Sequence, residues 1–145
     1  MYTMVRILPM DKKNEFKYES IQKIQTDFFL EDFPNRNDNI GYGKFHYKTR
    51  GMKIDKNTTL VLFQYDNKII ACANIYDKRK FNKSNGIYHG AFYFEPTSIK
   101  VFSPITNEEL NNIFHCKKTF GQIKHHLKVD YVNDFMNKLE KIRSA

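Results

Sequence analysis

The sequence predicts an α+β fold in which a curled sheet or small barrel is flanked by helices. Two observations lead to this prediction: a pair of apolar runs separated by a two-residue turn, and amphipathic helical patterns towards both ends of the chain. Strands clustered between helices are typical of the α+β class. The 145 residues suffice for one hydrophobic core but not for two ordinary domains. We therefore expect residues 1–145 to form a single domain, either alone or as part of a longer protein.

The first part of the chain predicts a strand, a helix and a second strand. Residues 2–8 are mostly apolar and have the pattern of a short strand that ends before Pro9. Apolar residues then recur at steps of three to five over 16–28, as on one face of a helix, and we expect that helix to end before Pro34. Residues 44–48 alternate charges and rings, which favours a strand.

The clearest signal is a β-hairpin in the middle of the chain. Residues 59–65 and 68–76 are rich in apolar, β-branched and aromatic side chains, and Asp66 with Asn67 supplies a turn between them. Both runs are apolar on both faces, so we expect the hairpin at the centre of a closed or covered sheet.

The rest of the chain predicts a loop, two strands and two helices. Residues 77–86 are basic and predict an exposed loop, whereas 87–94 and 98–102 predict strands. Thr106 and Glu109 have the spacing of a capping box for a short helix. An apolar stripe near the C-terminus predicts the last helix.

Composition excludes several classes of protein. Lys and Arg number 24 against 16 Asp and Glu, for a net charge of +8, and the hydrophobic content of 41% argues against disorder. No apolar run approaches the roughly 18 residues of a membrane span, and the first residues lack the pattern of a signal peptide. Cys72 and Cys116 match neither a zinc motif nor a disulfide framework. We expect a cytoplasmic protein without membrane contact, metal site or cofactor.

No familiar catalytic motif is present. The chain lacks a glycine-rich phosphate loop, His-Glu-x-x-His and Gly-x-Ser-x-Gly. The spacing of Asp55, Asp66 and Lys68 loosely matches a metal-dependent nuclease, but the hairpin turn explains Asp66 better. We therefore expect no catalytic residues.

The positive charge is concentrated in three segments with rings among the charges. These segments are 44–56, 77–83 and 115–129. Cations neutralise phosphates and exposed rings stack on unpaired bases, so this pattern is typical of nucleic-acid-binding proteins. A lysine-rich surface without a specific ligand would have the same composition, and this alternative stays open.

Three stretches carry a family resemblance. They are the hairpin TLVLFQY-DN-KIIACANIY, the strand IYHGAFYF after a basic loop, and SIKVFSPITNEELNNIF, a strand followed by Pro-Ile and a short helix. Together they resemble the PUA-like superfamily, which includes the EVE, ASCH, YTH and SRA-type domains. The tail FGQIKHHLKVDYVNDFMNKL is similar to the C-terminal segment of such modules in restriction endonucleases. The resemblance implies a barrel of about five or six strands and a pocket for a flipped or single-stranded base, often a methylated one.

The resemblance also implies where the pocket lies, namely between the loops before and after the central hairpin. The candidate base-pocket residues are then Asn39, Tyr42, His46, Tyr47, Asn85 and Tyr88. The candidate phosphate ligands are Lys44, Arg50, Arg79, Lys80 and Lys83.

We therefore predict a non-catalytic reader of nucleic acid, DNA rather than RNA, that serves a restriction or other defence system with a fused or associated nuclease or motor subunit. Three alternatives stay open. One is a B3-like domain that reads base edges in the major groove. Another is an ASCH-like hydrolase of RNA or modified nucleosides, with Glu95, Thr97 and a lysine as its candidate residues. The third is a phage or host protein-interaction module.

Overall fold

The α+β class is confirmed: one mixed sheet carries helices on its two faces. The computed structural model describes residues 1–13, 15–18, 20–48, 51–85, 88–121 and 124–144, without the side chains of 82–85 and 140–144. In these residues the strands are β1 (Met4–Pro9), β2 (Lys44–Lys48), β3 (Thr59–Tyr65), β4 (Lys68–Asn85), β5 (Tyr88–Phe94), β6 (Lys100–Thr106) and β7 (His126–Leu127). The helices are α1 (21–35), α2 (Asn107–Phe114) and α3 (Val132–Ser144).

The sheet is open, which differs from the predicted barrel. Its strand order is β2-β5-β4-β3-β1-β7, and β6 pairs with β4 outside this path. β1 runs parallel to β3, and its other neighbour is the two-residue strand β7. The strands at the two ends of this order, β2 and β7, do not pair with each other in the described part of the chain. The sheet branches at β4, which pairs with β3, β5 and β6, and it does not close into a barrel.

The hairpin prediction is confirmed, but its second strand is longer than expected. Asp66 and Asn67 both have positive φ, 50° and 62°, which matches the two-residue turns that suit twisted hairpins. β4 continues through 77–85, so the predicted basic loop is wrong. Residues 77–80 pair with residues 90–93 of β5, and this pairing overrides the low strand propensity of the charged residues.

The first helix also differs from its prediction. α1 begins as an α-helix at Ile21–Ile24, widens to a π-helix over Gln25–Asp32 and ends with the α-helical turn Phe33–Asn35, so it passes through Pro34. Proline is tolerated at the start of an α-helical turn because its missing N–H is not needed there. The α-helical turn begins at Phe33, directly after the π-helix, so Pro34 lies at the start of that turn.

The core is divided by the sheet into two parts of different composition. One side packs α1 against a cluster of phenylalanine rings whose centroids are 5.1 to 6.4 Å apart: Phe16, Phe28, Phe29, Phe33, Phe45, Phe63 and Phe94. The other side packs α2 and α3 against a more aliphatic set that includes Val5, Leu60 and Leu110. We call these the inner and outer faces of the sheet.

The remaining predictions concern α2 and the membrane. Thr106 and Glu109 form the expected capping box at the start of α2. No helix in the described ranges is long and apolar enough to cross a membrane.

Candidate nucleic-acid interface

A pocket of about 270 Å³ opens between the end of β1, the segment after it and the edge strand β2. Its apolar lining comes from Leu8, Pro9, Phe16, Phe45 and Tyr47, and its polar lining from Asp11, Glu15, His46, Lys48 and Lys124. The chain turns towards β2 after Pro9, and the amide of Phe16 donates to the carbonyl of Asp11 at 2.8 Å. The Phe16 ring then stacks on Phe45, with centroids 5.6 Å apart. These contacts hold one side of the pocket in place.

Lys48 is the centre of the polar lining. Its ammonium lies 2.9 Å from Glu15 Oε1 and 3.4 Å from Asp11 Oδ2. The hydroxyl of Tyr88 donates to Glu15 Oε2 at 3.0 Å. The hydrogen bond with Glu15 raises the pKa of Lys48, so the ammonium stays charged. The pocket thus offers both a cation and carboxylate oxygens to a polar ligand.

His46 and Tyr88, two of the predicted base-pocket residues, lie together. Their rings stack with centroids 4.7 Å apart and an interplanar angle of 22°. The Nε2 atom of His46 is buried and has no hydrogen-bond partner. Burial, with the nearby charges of Lys44 and Arg36, lowers the pKa of His46. A neutral imidazole can donate or accept a hydrogen bond, as a base edge requires.

Tyr47 forms a wall of the pocket and not an exposed stacking platform. It is only 6% exposed, and its ring packs on Phe92 with centroids 4.8 Å apart. Its hydroxyl donates to the carbonyl of Arg79 at 3.3 Å. A Cβ at Gly90 would lie 2.2 Å from this hydroxyl, which explains why glycine occupies that position.

Asn39 and Tyr42 lie in a turn that does not line the pocket. Asp38 organises this turn by accepting the amides of Ile40 and Gly41 at 2.8 and 3.1 Å. Tyr42 is 58% exposed, and its amide donates to the hydroxyl of Tyr76. The structure therefore separates these two residues from His46, Tyr47 and Tyr88.

Lys44, a predicted phosphate ligand, has a carboxylate partner. Its ammonium lies 2.9 Å from Asp38 Oδ2, and the hydroxyl of Tyr93 donates to the same oxygen at 2.8 Å. Burial acts to raise the pKa of Asp38, but the hydrogen bonds from Lys44 and Tyr93 outweigh it and hold that pKa well below its usual range. Asp38 therefore neutralises the charge of Lys44.

The other predicted phosphate ligands differ in their surroundings. Arg79 Nε lies 3.7 Å from Asp77, which also pairs with Lys56 at 3.1 Å, whereas Lys80 is exposed. Arg50 lies outside the described residues, as do the side chains of Lys83 and Asn85.

The candidates for catalysis and for metal binding do not come together. Glu95 and Thr97, the pair considered for hydrolysis, are exposed beside a short turn and do not line the pocket. Asp66 is at the hairpin tip and pairs with Lys12 at 3.1 Å. Within the described residues, no group of three or more His, Cys, Asp or Glu side chains could hold a metal ion. Cys72 and Cys116 are not joined in a disulfide bond.

Sequence reasoning missed Asp11, Glu15 and the contribution of β1 to the site. It also missed Arg6, whose guanidinium donates to the carbonyls of Lys53 and Lys124. One signal was available, since Arg6 is the only charged residue in the mostly apolar run over 2–8.

Comparisons with protein families, curated proteins and solved structures found no match to this chain.

Proposed function

We propose that this chain is a non-catalytic reader domain of the PUA-like type that binds nucleic acid, with DNA favoured over RNA. The observation that carries the proposal is the pocket beside β2, in which rings and hydrogen-bonding side chains meet on a chain of net charge +8. Its volume of about 270 Å³ is near the lower end of ligand pockets, which hold roughly 300–1,000 Å³. A pocket of this size suits a single base that has left its stack.

The lining combines an apolar wall with polar groups for the edge of a base. Phe16 and Phe45 are buried like Tyr47 and belong to that wall, while His46, Glu15 and Lys48 supply donors and acceptors. Extruding a base costs a few kcal/mol, which stacking and hydrogen bonds to its edge offset. A modified base, a role in a restriction or defence system, and a nuclease or motor partner stay predictions from the resemblance.

Binding of labelled oligonucleotides tests the proposal. We expect single-stranded DNA to bind at low salt (about 50 mM) and the affinity to fall steeply as salt increases, because bound phosphates release counterions. Fluorescence anisotropy with single-stranded DNA, duplex DNA and RNA measures this. Absence of binding to all three would contradict the proposed function.

A matched pair of variants tests the pocket itself. Glu15→Gln alters the pocket, whereas Asp66→Asn alters the exposed hairpin tip, and each removes one negative charge. A purely electrostatic surface would respond equally to both changes. If a base occupies the pocket, we expect Glu15→Gln to bind about tenfold more weakly than Asp66→Asn, since one hydrogen bond to a charged group is altered. Equal affinities would place the binding site elsewhere.

A further inference from the structure

Three cations from distant parts of the sequence meet beside the pocket on the inner face of the sheet. They are Arg6 on β1, Lys78 on β4 and Lys124 before β7, and we call them the cationic cluster. The side chains of Arg6 and Lys78 donate to the adjacent carbonyls of Lys53 and Met52, and Arg6 also donates to the carbonyl of Lys124. Burial, and after it the charge of Arg6, lowers the pKa of both lysines. Lys124 also lines the pocket. The cluster and the pocket are therefore contiguous.

Arg6 keeps unused hydrogen-bond donors in the cluster. Its Nη1 and Nη2 atoms donate to the carbonyls of Lys53 and Lys124 at 3.2 and 2.8 Å. Its Nε is buried and has no partner. A guanidinium has five N–H groups in a planar fork, so several stay available to a further acceptor.

Lys78 is held in place by neutral groups. Its ammonium donates to the carbonyl of Met52 at 3.0 Å and lies 5.8 Å from the centre of the Tyr47 ring. An ammonium has three donors, of which Met52 uses one. Neither contact neutralises the charge.

The cluster lacks carboxylate partners in the described part of the chain. The ion pairs found there join other cations to Asp or Glu, and none includes Arg6, Lys78 or Lys124. Partly buried charges of one sign repel each other and lose hydration, which disfavours the folded state unless an anion binds. Such clusters occur preferentially at functional sites.

We propose that Arg6, Lys78 and Lys124 form a phosphate-binding site next to the pocket. Phosphate oxygens accept hydrogen bonds from a guanidinium fork and from ammonium groups at once, and among the described residues none of these three cations is already paired with a carboxylate. In a bound polynucleotide the site holds the backbone phosphate beside the nucleotide whose base enters the pocket. The statement about a bound polynucleotide rests on the proposed function, whereas the phosphate site itself does not.

Inorganic phosphate tests the site without any nucleic acid. We expect phosphate to raise the unfolding temperature of the wild-type protein in a dose-dependent way, compared with chloride at equal ionic strength, because a ligand that binds only the folded state stabilises it. Lys78→Gln and Lys124→Gln each remove one charge from the cluster, and Lys117→Gln removes one from an exposed loop. We expect the first two to weaken phosphate binding about tenfold or more and Lys117→Gln to leave it unchanged.

Two results would overturn the phosphate site: no phosphate-specific stabilisation of the wild type, or equal stabilisation of all three variants. Far-ultraviolet circular dichroism confirms that each variant is folded. The polynucleotide statement has a separate test, the loss of oligonucleotide affinity in the same variants. If phosphate binds as expected but no oligonucleotide binds the wild type, the phosphate site stands, and the polynucleotide statement fails together with the proposed function.

Discussion

Two faces of the same stretch of β4 carry positive charge in different ways. Asp77 and Arg79 lie opposite Tyr93 and Ala91 of β5, and on this side Asp77 pairs with both Arg79 and Lys56. Lys78 lies opposite Phe92, a residue of the inner-face core, and has no ion pair with a carboxylate among the described residues. One residue along the strand therefore separates a cation that has a carboxylate partner from one that has none in the described residues.

This difference shows why the density of charge along a sequence is a poor guide to an anion site. The basic residues at 77–80 stand out as a group, yet strand alternation sends neighbouring side chains to opposite faces. Anion binding depends on which charged and polar groups surround each cation in the folded protein. Arg6 and Lys124, which are far from this stretch in sequence, become partners of Lys78 through β1 and the segment before β7.

The largest expected effect concerns the buried wall of the inner face. We expect Tyr47→Ala to lower the free energy of unfolding by about 3–5 kcal/mol, because a buried ring packed on Phe92 is removed. The exposed Tyr42 is the control, and Tyr42→Ala should change the free energy of unfolding by about 0.5 kcal/mol or less. Urea unfolding measures both values. Similar losses of stability in the two variants would show that the Tyr47 ring is not part of the buried core.

Two triple variants compare the cationic cluster with three of the predicted phosphate ligands, two of which have carboxylate partners. Arg6→Gln/Lys78→Gln/Lys124→Gln and Lys44→Gln/Arg79→Gln/Lys80→Gln remove the same number of charges. We expect the first to lower oligonucleotide affinity by about 100-fold or more and the second by about tenfold or less, since Lys44 and Arg79 already have carboxylate partners.

The dependence of affinity on salt provides an independent measure for the same two variants. Loss of each phosphate contact lowers the salt slope by about one, so the cluster variant should show the larger decrease. If the two triple variants lose affinity equally, net charge alone governs binding. The claim that cations without a carboxylate partner contribute more to binding is then wrong.

A smaller effect is expected at Asp38, which neutralises Lys44. Asp38→Asn should lower the free energy of unfolding at neutral pH by about 1–2 kcal/mol, because the hydrogen bonds from Lys44 and Tyr93 lose a charged acceptor. The pKa of Asp38 is lowered by folding, so this stability is present above the ordinary carboxyl pKa and is lost as the pH falls below it.

Chemical denaturation of wild type and Asp38→Asn at a series of pH values checks this expectation. The difference between the two proteins should shrink in acid, where the wild-type carboxyl also becomes neutral. Asp66→Asn is the control, because its exposed pair with Lys12 contributes about 0–1 kcal/mol. A difference that stays constant with pH would contradict the role of the Asp38 charge.

The smallest effect is expected at His46. Folding lowers its pKa through burial and the charges of Lys44 and Arg36, so the unfolded chain takes up a proton more readily than the folded one. The wild type should therefore lose stability as the pH falls through the ordinary histidine range near 6.5. His46→Gln should lose less over the same range. Parallel pH profiles for the two proteins would rule out this contribution.

Local patterns were sufficient to predict several elements. The two-residue turn at Asp66 and Asn67, the strands that flank it and the capping box of Thr106 and Glu109 all depend on neighbours in sequence. The predictions failed where distant partners decide. β4 continues through 77–85 because β5 pairs with it, and α1 passes Pro34 because a π-helix precedes that residue.

The candidate site was predicted only in part. Of the named residues, His46 and Tyr47 line the pocket, although Tyr47 is a buried wall. Tyr88 does not line it but stacks on His46. Asp11 and Glu15 were not named, because nothing in a polar connection shows which strand edge it will cover. Their role depends on contact with Lys48, more than 30 residues away in sequence.

The sequence by itself determined the α+β class, the central hairpin and a strongly positive chain rich in rings, because these follow from composition and from the spacing of neighbouring residues. Only the tertiary structure decided that the sheet is open, that a pocket lies beside β2 and that Arg6, Lys78 and Lys124 come together without an ion pair to a carboxylate in the described residues. The physical reason is that strand pairing, burial and charge neutralisation depend on contacts between residues far apart in sequence, which no local pattern specifies.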